Sequence, residues 1–444
     1  MNITIIGTGY IGLVQGVIMA DLGFQVTCLD KNVKKIEDLK KGKIPIYEPE
    51  LDNILQSAEK KGNISFTDSY EKGVKNADII FIAVGTPPKL DGTSDLTYIE
   101  EASASIGKNI NKDCVIITKS TVPIGTNRKI RKIIENELKQ RNLNIKFSIV
   151  SNPEFLREGK AVYDFLNPER IVAGIEEGDN EKSVRKKIEE IYKYFTDRNI
   201  PIIFTNLETA ELSKYASNAF LATKISFINE MALLSEKVNA NIEDISKIMG
   251  TDSRIAPDFL KAGIGYGGSC FPKDTAAILN IAKDNKCDMK IINSVVDVNK
   301  DMKTVLINKI TSKLKTLKGK TISILGLSFK PETDDIRFAP SLSVIKELIS
   351  NGAYIKAYCP KGIENTKREL SHLSNFIEYT ENEYECLKGS DSAVLLTEWK
   401  QFGNMDLEIA SQSMKQNYFF DFRNLFSKNP KIRKLFSYSA IGRK

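Results

Sequence analysis

Ile3-Thr4-Ile5-Ile6-Gly7-Thr8-Gly9-Tyr10-Ile11-Gly12 decides how the chain begins to fold. The β-branched run reads as a short buried strand, and it stops at glycines spaced Gly7-x-Gly9-x-x-Gly12. An apolar helix pattern, opened by Tyr10 and Ile11, runs to Leu22 and ends at Gly23. Phe24-Gln25-Val26-Thr27-Cys28-Leu29-Asp30 then reads as a second strand. Strand, helix, strand with a glycine turn at the first junction is a βαβ unit. In that setting the glycines permit a tight turn, close approach of a pyrophosphate to backbone N–H groups, and close packing of helix on strand. Asp30 ends the second strand 18 residues after Gly12. A carboxylate there can accept from ribose hydroxyls and repels a 2′-phosphate, so the pattern favours NAD over NADP, with Lys31, Lys34 and Lys35 pulling the other way.

Working outward, further strands are expected at Ile79–Val84, Val115–Thr118 and Phe147–Ser151, separated by charge-mixed helical segments. Such alternation predicts a parallel, doubly wound sheet. From Leu207 to about Met249 apolar residues recur at helical spacing, after a capping start at Thr205-Asn206-Leu207-Glu208. A long apolar helix of this kind is also a natural dimer surface. A second α/β region opens at Lys320-Thr321-Ile322-Ser323-Ile324-Leu325-Gly326. There Gly352–Tyr358 echoes Gly23–Leu29, and Ser390–Leu396 echoes Ala77–Ala83. The expected architecture is α/β, two Rossmann-like doubly wound domains joined by a central helical segment. Its parts are residues 1–204, an NAD-binding domain; 205–300, a helical segment carrying a candidate nucleophile loop; and 301–444, a second Rossmann-like domain. The last keeps one glycine, Gly326, of the triplet, so it would hold a nucleotide in another manner.

The chain has 444 residues, 41% hydrophobic and 27% charged, enough to build full cores. Its excess of 64 basic over 57 acidic side chains is small for this length, and no basic stripe with interleaved aromatics occurs, so a nucleic-acid partner is not expected. No apolar run reaches the ~18 residues of a membrane span, and the N-terminus reads as a strand and not as a leader. A cytoplasmic protein is expected. None of the six cysteines forms a C-x-x-C pair, so neither disulfides nor a metal site is expected. Five of them, Cys28, Cys114, Cys287, Cys359 and Cys386, read as packing residues. The single histidine, His372, lies in a polar stretch and reads as a solvated helix face, which leaves little room for nucleophile–histidine chemistry.

The sixth cysteine stands in Gly263-Ile264-Gly265-Tyr266-Gly267-Gly268-Ser269-Cys270-Phe271-Pro272-Lys273-Asp274. Closely spaced glycines bring backbone close to something, and Pro272 fits the first turn of a helix. Cys270 would then lie at a helix N-terminus with Lys273 nearby, both favouring a thiolate. Lowering a thiol pKa from ~8.5 to ~7 takes about 2 kcal/mol. A glycine turn with a buried cysteine is the plainer reading. Glu154 and Glu158 fall at i,i+4 on a helix that Pro153 would open, and Lys214 and Asn218 share the same spacing. Solvated charged faces are the plainer reading of both pairs.

Four stretches together carry a resemblance: Gly265–Asp274; Ser151-Asn152-Pro153-Glu154-Phe155-Leu156-Arg157-Glu158; Lys119-Ser120-Thr121-Val122-Pro123; and Phe329-Lys330-Pro331-Glu332-Thr333-Asp334-Asp335-Ile336-Arg337. From Gly7 to about Asn424 the chain resembles the nucleotide-sugar dehydrogenases of the UDP-glucose/GDP-mannose dehydrogenase family. Members acting on UDP-N-acetyl sugars typically carry histidine near the nucleophile and no lysine before the aspartate, whereas this chain has Ser269 and Lys273. GDP-mannose relatives share Gly-Gly-Ser-Cys but differ around it. Phe338-Ala339-Pro340 departs from the acid and spacer that many relatives carry after Arg337.

The resemblance implies a four-electron oxidation of the C6 hydroxymethyl of UDP-glucose to UDP-glucuronate with two NAD, through a thiohemiacetal and a thioester. It implies Cys270 as nucleophile, Lys214 as oxyanion stabiliser, and Asn218 and Asp274 as positioning groups. Glu154 would activate the hydrolytic water with help from Thr121. Asp30, Lys35, Thr86, Thr121, Glu158, Lys273 and Arg337 would contact the cofactor, beside Gly7, Gly9, Tyr10, Ile11 and Gly12. Glu154, Phe155, Leu156, Arg157 and Glu158 would contact the substrate, with Lys214 and Asn218. So would Phe259, Leu260, Lys261, Ala262, Gly263, Gly267 and Lys330. Arg254 would reach the substrate of a neighbouring subunit, implying a homodimer or larger assembly. Open alternatives are another sugar nucleotide, such as GDP-mannose or a UDP-N-acetylhexosamine, a one-step hydroxyacid dehydrogenase that has no need of Cys270, and a nucleotide-binding module without catalysis.

Overall fold

The computed structural model describes residues 1–178 and 181–443. The chain forms two compact units, the first of residues 1–217 with 276–285, the second of residues 218–275 with 286 onward. It passes from one to the other within the 32-residue helix Leu207–Val238 and returns within Phe271–Asp284.

In the first unit the strands are β1 (Asn2–Ile6), β2 (Gln25–Leu29), β3 (Ile64–Thr67), β4 (Ile79–Ile82), β5 (Cys114–Thr118), β6 (Phe147–Ser151), β7 (Ile171–Ile175) and β8 (Ile202–Thr205). Among the described residues they make one sheet in the order β3-β2-β1-β4-β5-β6-β7-β8. Neighbours are parallel except β6 and β7. All four residues of β4 are 0% exposed, as expected of a parallel strand covered on both faces. Each such side chain contributes about 1.5–3 kcal/mol through burial. The helix Tyr10–Asp21 follows β1 directly and buries Leu13, Val14, Val17 and Ile18 on the sheet.

The second unit carries β9 (Thr321–Leu325), β10 (Tyr354–Tyr358), β11 (Ile377–Tyr379), β12 (Ser392–Leu395), β13 (Tyr418–Asp421) and β14 (Ser437–Ala440). These pair in the order β11-β10-β9-β12-β13-β14, all parallel. That order repeats β3-β2-β1-β4-β5-β6, so the expected α/β architecture of two doubly wound sheets joined along the chain by a long helix is what the chain adopts. One glycine explains part of the repeat. Gly7 after β1 has φ +98°, and a Cβ there would meet Ala83 O at 2.5 Å; Gly326 after β9 has φ +93°, and a Cβ there would meet Thr397 at 2.5 Å. The surviving glycine of the second unit is thus the one that lets neighbouring strand ends close on each other.

Three expectations need correction. Residues 152–160 form no helix; the nearest is Ala161–Leu166. Asn152 is drawn into the interior by its side chain, and Glu154 turns back to accept from Leu156 N at 2.6 Å, so Pro153 lies in an irregular turn. Cys287 is exposed rather than packed, because it follows the end of the helix Phe271–Asp284. Cys28, Cys114, Cys359 and Cys386 are buried, and burial pushes the Cys28, Cys114 and Cys386 thiols up to about 12. Third, the strands β3, β7, β8, β11, β13 and β14 fall outside the expected set. His372 is exposed, on the short 3-10 helix Ser371–Phe376. Among the described residues no helix is long and apolar enough to cross a membrane.

Candidate active site

The dinucleotide fingerprint lies at the carboxyl edge of β1. A Cβ on Gly12 would fall 1.9 Å from Gly7 O, so helix and turn pack too closely for any side chain there. Gly9 differs: nothing of the protein lies within 4 Å of its Cβ position, which leaves space for a ligand against the helix mouth. A cleft of about 220 Å³ opens here, lined by Gly7, Gly9, Asp30, Tyr70, Gly85 and Tyr98 among others. Asp30 Oδ2 accepts from Thr8 N at 2.9 Å, Thr8 Oγ1 at 2.8 Å and Lys35 Nζ at 3.0 Å, while Oδ1 accepts from Asn32 N at 3.0 Å. Burial works to raise its pKa, but these donors outweigh it and hold the carboxyl below its ordinary value. Two of the three lysines that pulled toward NADP are spent on acids: Lys35 on Asp30 and Lys31 on Glu101 at 2.9 Å. The residues present therefore fit NAD, with Oδ1 still able to accept from a ribose hydroxyl. Tyr10 and Ile11 open the helix, half-buried. Thr86 donates to Thr121 O at 2.9 Å, tying together the chain beyond β4 and β5.

Deeper in the first unit lies a buried polar cluster. Lys214 Nζ meets Glu154 Oε1 at 3.1 Å, with both side chains almost wholly buried. Lys214 lies 5.3 Å from the Phe155 ring centre, and the Arg170 guanidinium stacks over the same ring at 4.0 Å. Leu156 and Glu158 are half-buried, and Arg157 is exposed and clamps Asp164 through Nε and Nη2. The sequence reading missed three members of this cluster: Lys119, Asn152 and Tyr192. Lys119 Nζ and Tyr192 Oη both donate to Asn152 Oδ1, and Asn152 Nδ2 donates to Val172 O at 2.7 Å. One signal was present, a lysine set directly after the apolar run Cys114–Thr118.

The second unit holds the cysteine. The helix begins at Phe271, so Cys270 immediately precedes its first turn, half-buried, and its carbonyl accepts from Asp274 N at 2.8 Å. Asp274 is 1% exposed. Its Oδ2 accepts from Asn218 Nδ2 at 2.5 Å and its Oδ1 from Lys273 Nζ at 2.6 Å. Lys273's ammonium is thus paired with Asp274 in the first turn of the helix that Cys270 precedes. The glycines before Cys270 are sterically required. Gly268 has φ +82° and a Cβ there would strike the Phe329 ring at 2.7 Å, and a Cβ on Gly267 would meet Phe338 O at 2.3 Å. Gly268 N donates to Arg337 O at 2.9 Å, and Arg337's side chain clamps Asp335.

The segment 259–263 packs close by in the same unit. Phe259 has φ +65° and its ring lies 6.0 Å from that of Phe271; Leu260 and Ala262 are buried, Lys261 is exposed, and Gly263 N donates to Asn229 Oδ1 at 2.8 Å. Lys330 is half-buried. Arg254 projects outward, held to Asp252. The structure thus joins Glu154 with Lys214, and Asn218 with Asp274 and Lys273. It does not put Glu154 and Glu158 on one helix.

Comparison with known proteins agrees with this layout. Residues 1–196 match the NAD binding domain of the UDP-glucose/GDP-mannose dehydrogenase family, residues 208–301 its central domain, and residues 323–428 its UDP binding domain. The chain is 45% identical, over its whole length and 98% of the relative, to the UDP-glucose 6-dehydrogenase YwqF of Bacillus subtilis (strain 168). It is 44% identical over the full length of both chains to the UDP-glucose 6-dehydrogenase of Rickettsia bellii (strain RML369-C). The solved UDP-glucose dehydrogenase of the archaeon Pyrobaculum islandicum superposes with a TM-score of 0.91 at 34% identity, covering 100% of this chain and 98% of that one. With its three domains matched in order and relatives this similar over the whole length, the chain belongs to the UDP-glucose/GDP-mannose dehydrogenase family, as an NAD-binding dehydrogenase.

Proposed function

We propose that this chain oxidises the C6 hydroxymethyl of UDP-glucose to the carboxylate of UDP-glucuronate, in two steps, with Cys270 holding the half-oxidised sugar. The observation that carries the reading is a half-buried thiol directly before a helix, four residues ahead of a buried aspartate fixed by Asn218 and Lys273. The substrate follows from the relatives named above and from the UDP binding domain match.

NAD, when bound, accepts the hydride that each oxidation releases. The first oxidation turns the alcohol into an aldehyde, with one proton lost from the hydroxyl. Cys270 sulfur then adds to the aldehyde carbon, making a thiohemiacetal whose oxygen carries the developing negative charge. Lys214 supplies the compensating charge, and Asn218 and Asp274 position the reacting oxygen. Loss of the second hydride leaves a thioester on Cys270. Glu154 takes a proton from water, with Thr121 assisting, and the hydroxide displaces the thiolate to give the carboxylate. A covalent hold explains how two hydrides leave one carbon without escape of the aldehyde. The helix Leu207–Val238 exposes Phe220, Phe227 and Leu234 at heptad spacing, which supports assembly as a homodimer.

The stoichiometry of NADH formation tests this reading. With limiting UDP-glucose and excess NAD we expect two NADH per sugar, and no comparable turnover with GDP-mannose or a UDP-N-acetylhexosamine. One NADH per sugar would rule out the two-step path.

A further inference from the structure

Lys119 directly follows the central strand β5 and is 7% exposed. Its backbone N–H donates to Ile82 O at 2.8 Å, and Asn152 N donates to Thr118 O at 2.9 Å. The two residues thus stand at the carboxyl ends of adjacent parallel strands, the edge where doubly wound sheets place their ligands. Among the described residues, the Lys119 ammonium makes one hydrogen bond, 3.0 Å to the neutral Asn152 Oδ1, and no ion pair. Tyr192 Oη donates to that same oxygen. Holding Asn152 is thus shared with a neutral donor and does not by itself account for the charge, since a buried ammonium on a neutral amide is costly to keep.

We propose that Lys119 is a positioning residue for the reaction: through Asn152 it fixes the turn that presents Glu154, and with Lys214 it sets two buried cations against one carboxylate. The inference rests on the proposed roles of Glu154 and Lys214. The surplus positive charge favours a reacting oxygen that becomes negative. The charge is adjustable. Burial pushes the Lys119 pKa down to about 8, with Glu154 opposing and Lys214 adding to the shift. Glu154 from the turn after β6, Lys214 from the long helix and Tyr192 are the groups facing it, and burial holds the Tyr192 phenol above its ordinary value. Rising pH removes the Lys119 proton near pH 8, so the surplus charge and kcat fall together there.

Profiles of kcat against pH for the full-length enzyme, Lys119→Met and Lys119→Arg test this, with thermal unfolding and the NADH count measured alongside. The parent should show an alkaline limb near pH 8. Lys119→Met should lack that limb and run about tenfold slower at pH 7, with both KM values within about twofold of the parent and a Tm no lower than the parent's. Lys119→Arg cannot lose its charge, so its limb should move upward and its rate at pH 9 should exceed the parent's. The inference is overturned if either variant keeps the parent's limb, or if Lys119→Met loses rate and Tm together with an unchanged profile, as a mere strut would. If Lys119→Met does not fold, the Lys119→Arg limb decides. Two NADH per sugar in the parent keeps the proposed function standing whichever way Lys119 falls; one NADH defeats that function without bearing on the limb.

Discussion

Cys270→Ser should reduce steady NADH formation by at least about a thousandfold, some 4 kcal/mol of barrier. The sulfur has two tasks that oxygen performs poorly. It must add to an aldehyde as an anion, and it must leave again when water attacks. A cysteine thiol ionises far more readily than a hydroxyl, and a helix terminus favours its thiolate further. A serine hydroxyl needs a strong neighbouring base, and the chain's single histidine is exposed on the separate helix Ser371–Phe376. Asp274 is engaged by Asn218 and Lys273, so it is no substitute. The first oxidation does not require the sulfur, so single-turnover mixing of the variant should still form NADH slowly. A steady rate within tenfold of the parent would remove Cys270 from the mechanism.

The second large effect belongs to Gly12. In Gly12→Ala the new methyl would lie 1.9 Å from Gly7 O and 3.1 Å from the Ala83 side chain. The first of these is backbone held by the sheet, so the helix Tyr10–Asp21 must lift from β1 and the turn must open. We expect the Tm to fall by several degrees and NAD affinity to drop by at least about a hundredfold, roughly 3 kcal/mol. Gly9→Ala makes the informative comparison, because its methyl meets no protein atom within 4 Å. That variant should melt like the parent yet bind NAD more weakly, since the methyl occupies the ligand's space. Calorimetric titration with NAD and a thermal melt of each variant separate the two effects. Parent-like melting and affinity for Gly12→Ala would mean that the turn is looser than its geometry states.

Much of the fold was legible because parallel strands buried on both faces are written as dense apolar runs. β1, β4, β5 and β6 are of this kind, as are β9 and β12. β3 escaped because Ile64-Ser65-Phe66-Thr67 is short and half polar. β7 and β8 lie beyond the repeating pattern, and the antiparallel turn from β6 to β7 has no local signal. The glycine–cysteine loop was readable because its chemistry is contiguous in sequence. The buried clusters were not, because their partners are far apart: Lys119 and Asn152 are separated by 33 positions, Asn218 and Asp274 by 56. Helical spacing correctly marked Lys214 and Asn218 on one helix, but the same spacing misled at Glu154 and Glu158. There the long-range hold on Asn152 and the local bond from Leu156 N to Glu154 override the helix that Pro153 would start.

The central claim is a covalent sugar on one named sulfur, and trapping it is the most direct measurement. Glu154→Gln should slow thioester hydrolysis while keeping an acceptor for Leu156 N. Mixed with NAD and UDP-glucose, quenched in acid and mapped by peptide mass, that variant should carry a UDP-glucuronyl group on the peptide containing Cys270. Two NADH released per sugar with Cys270 unmodified throughout, or an adduct on any other residue, would contradict the account.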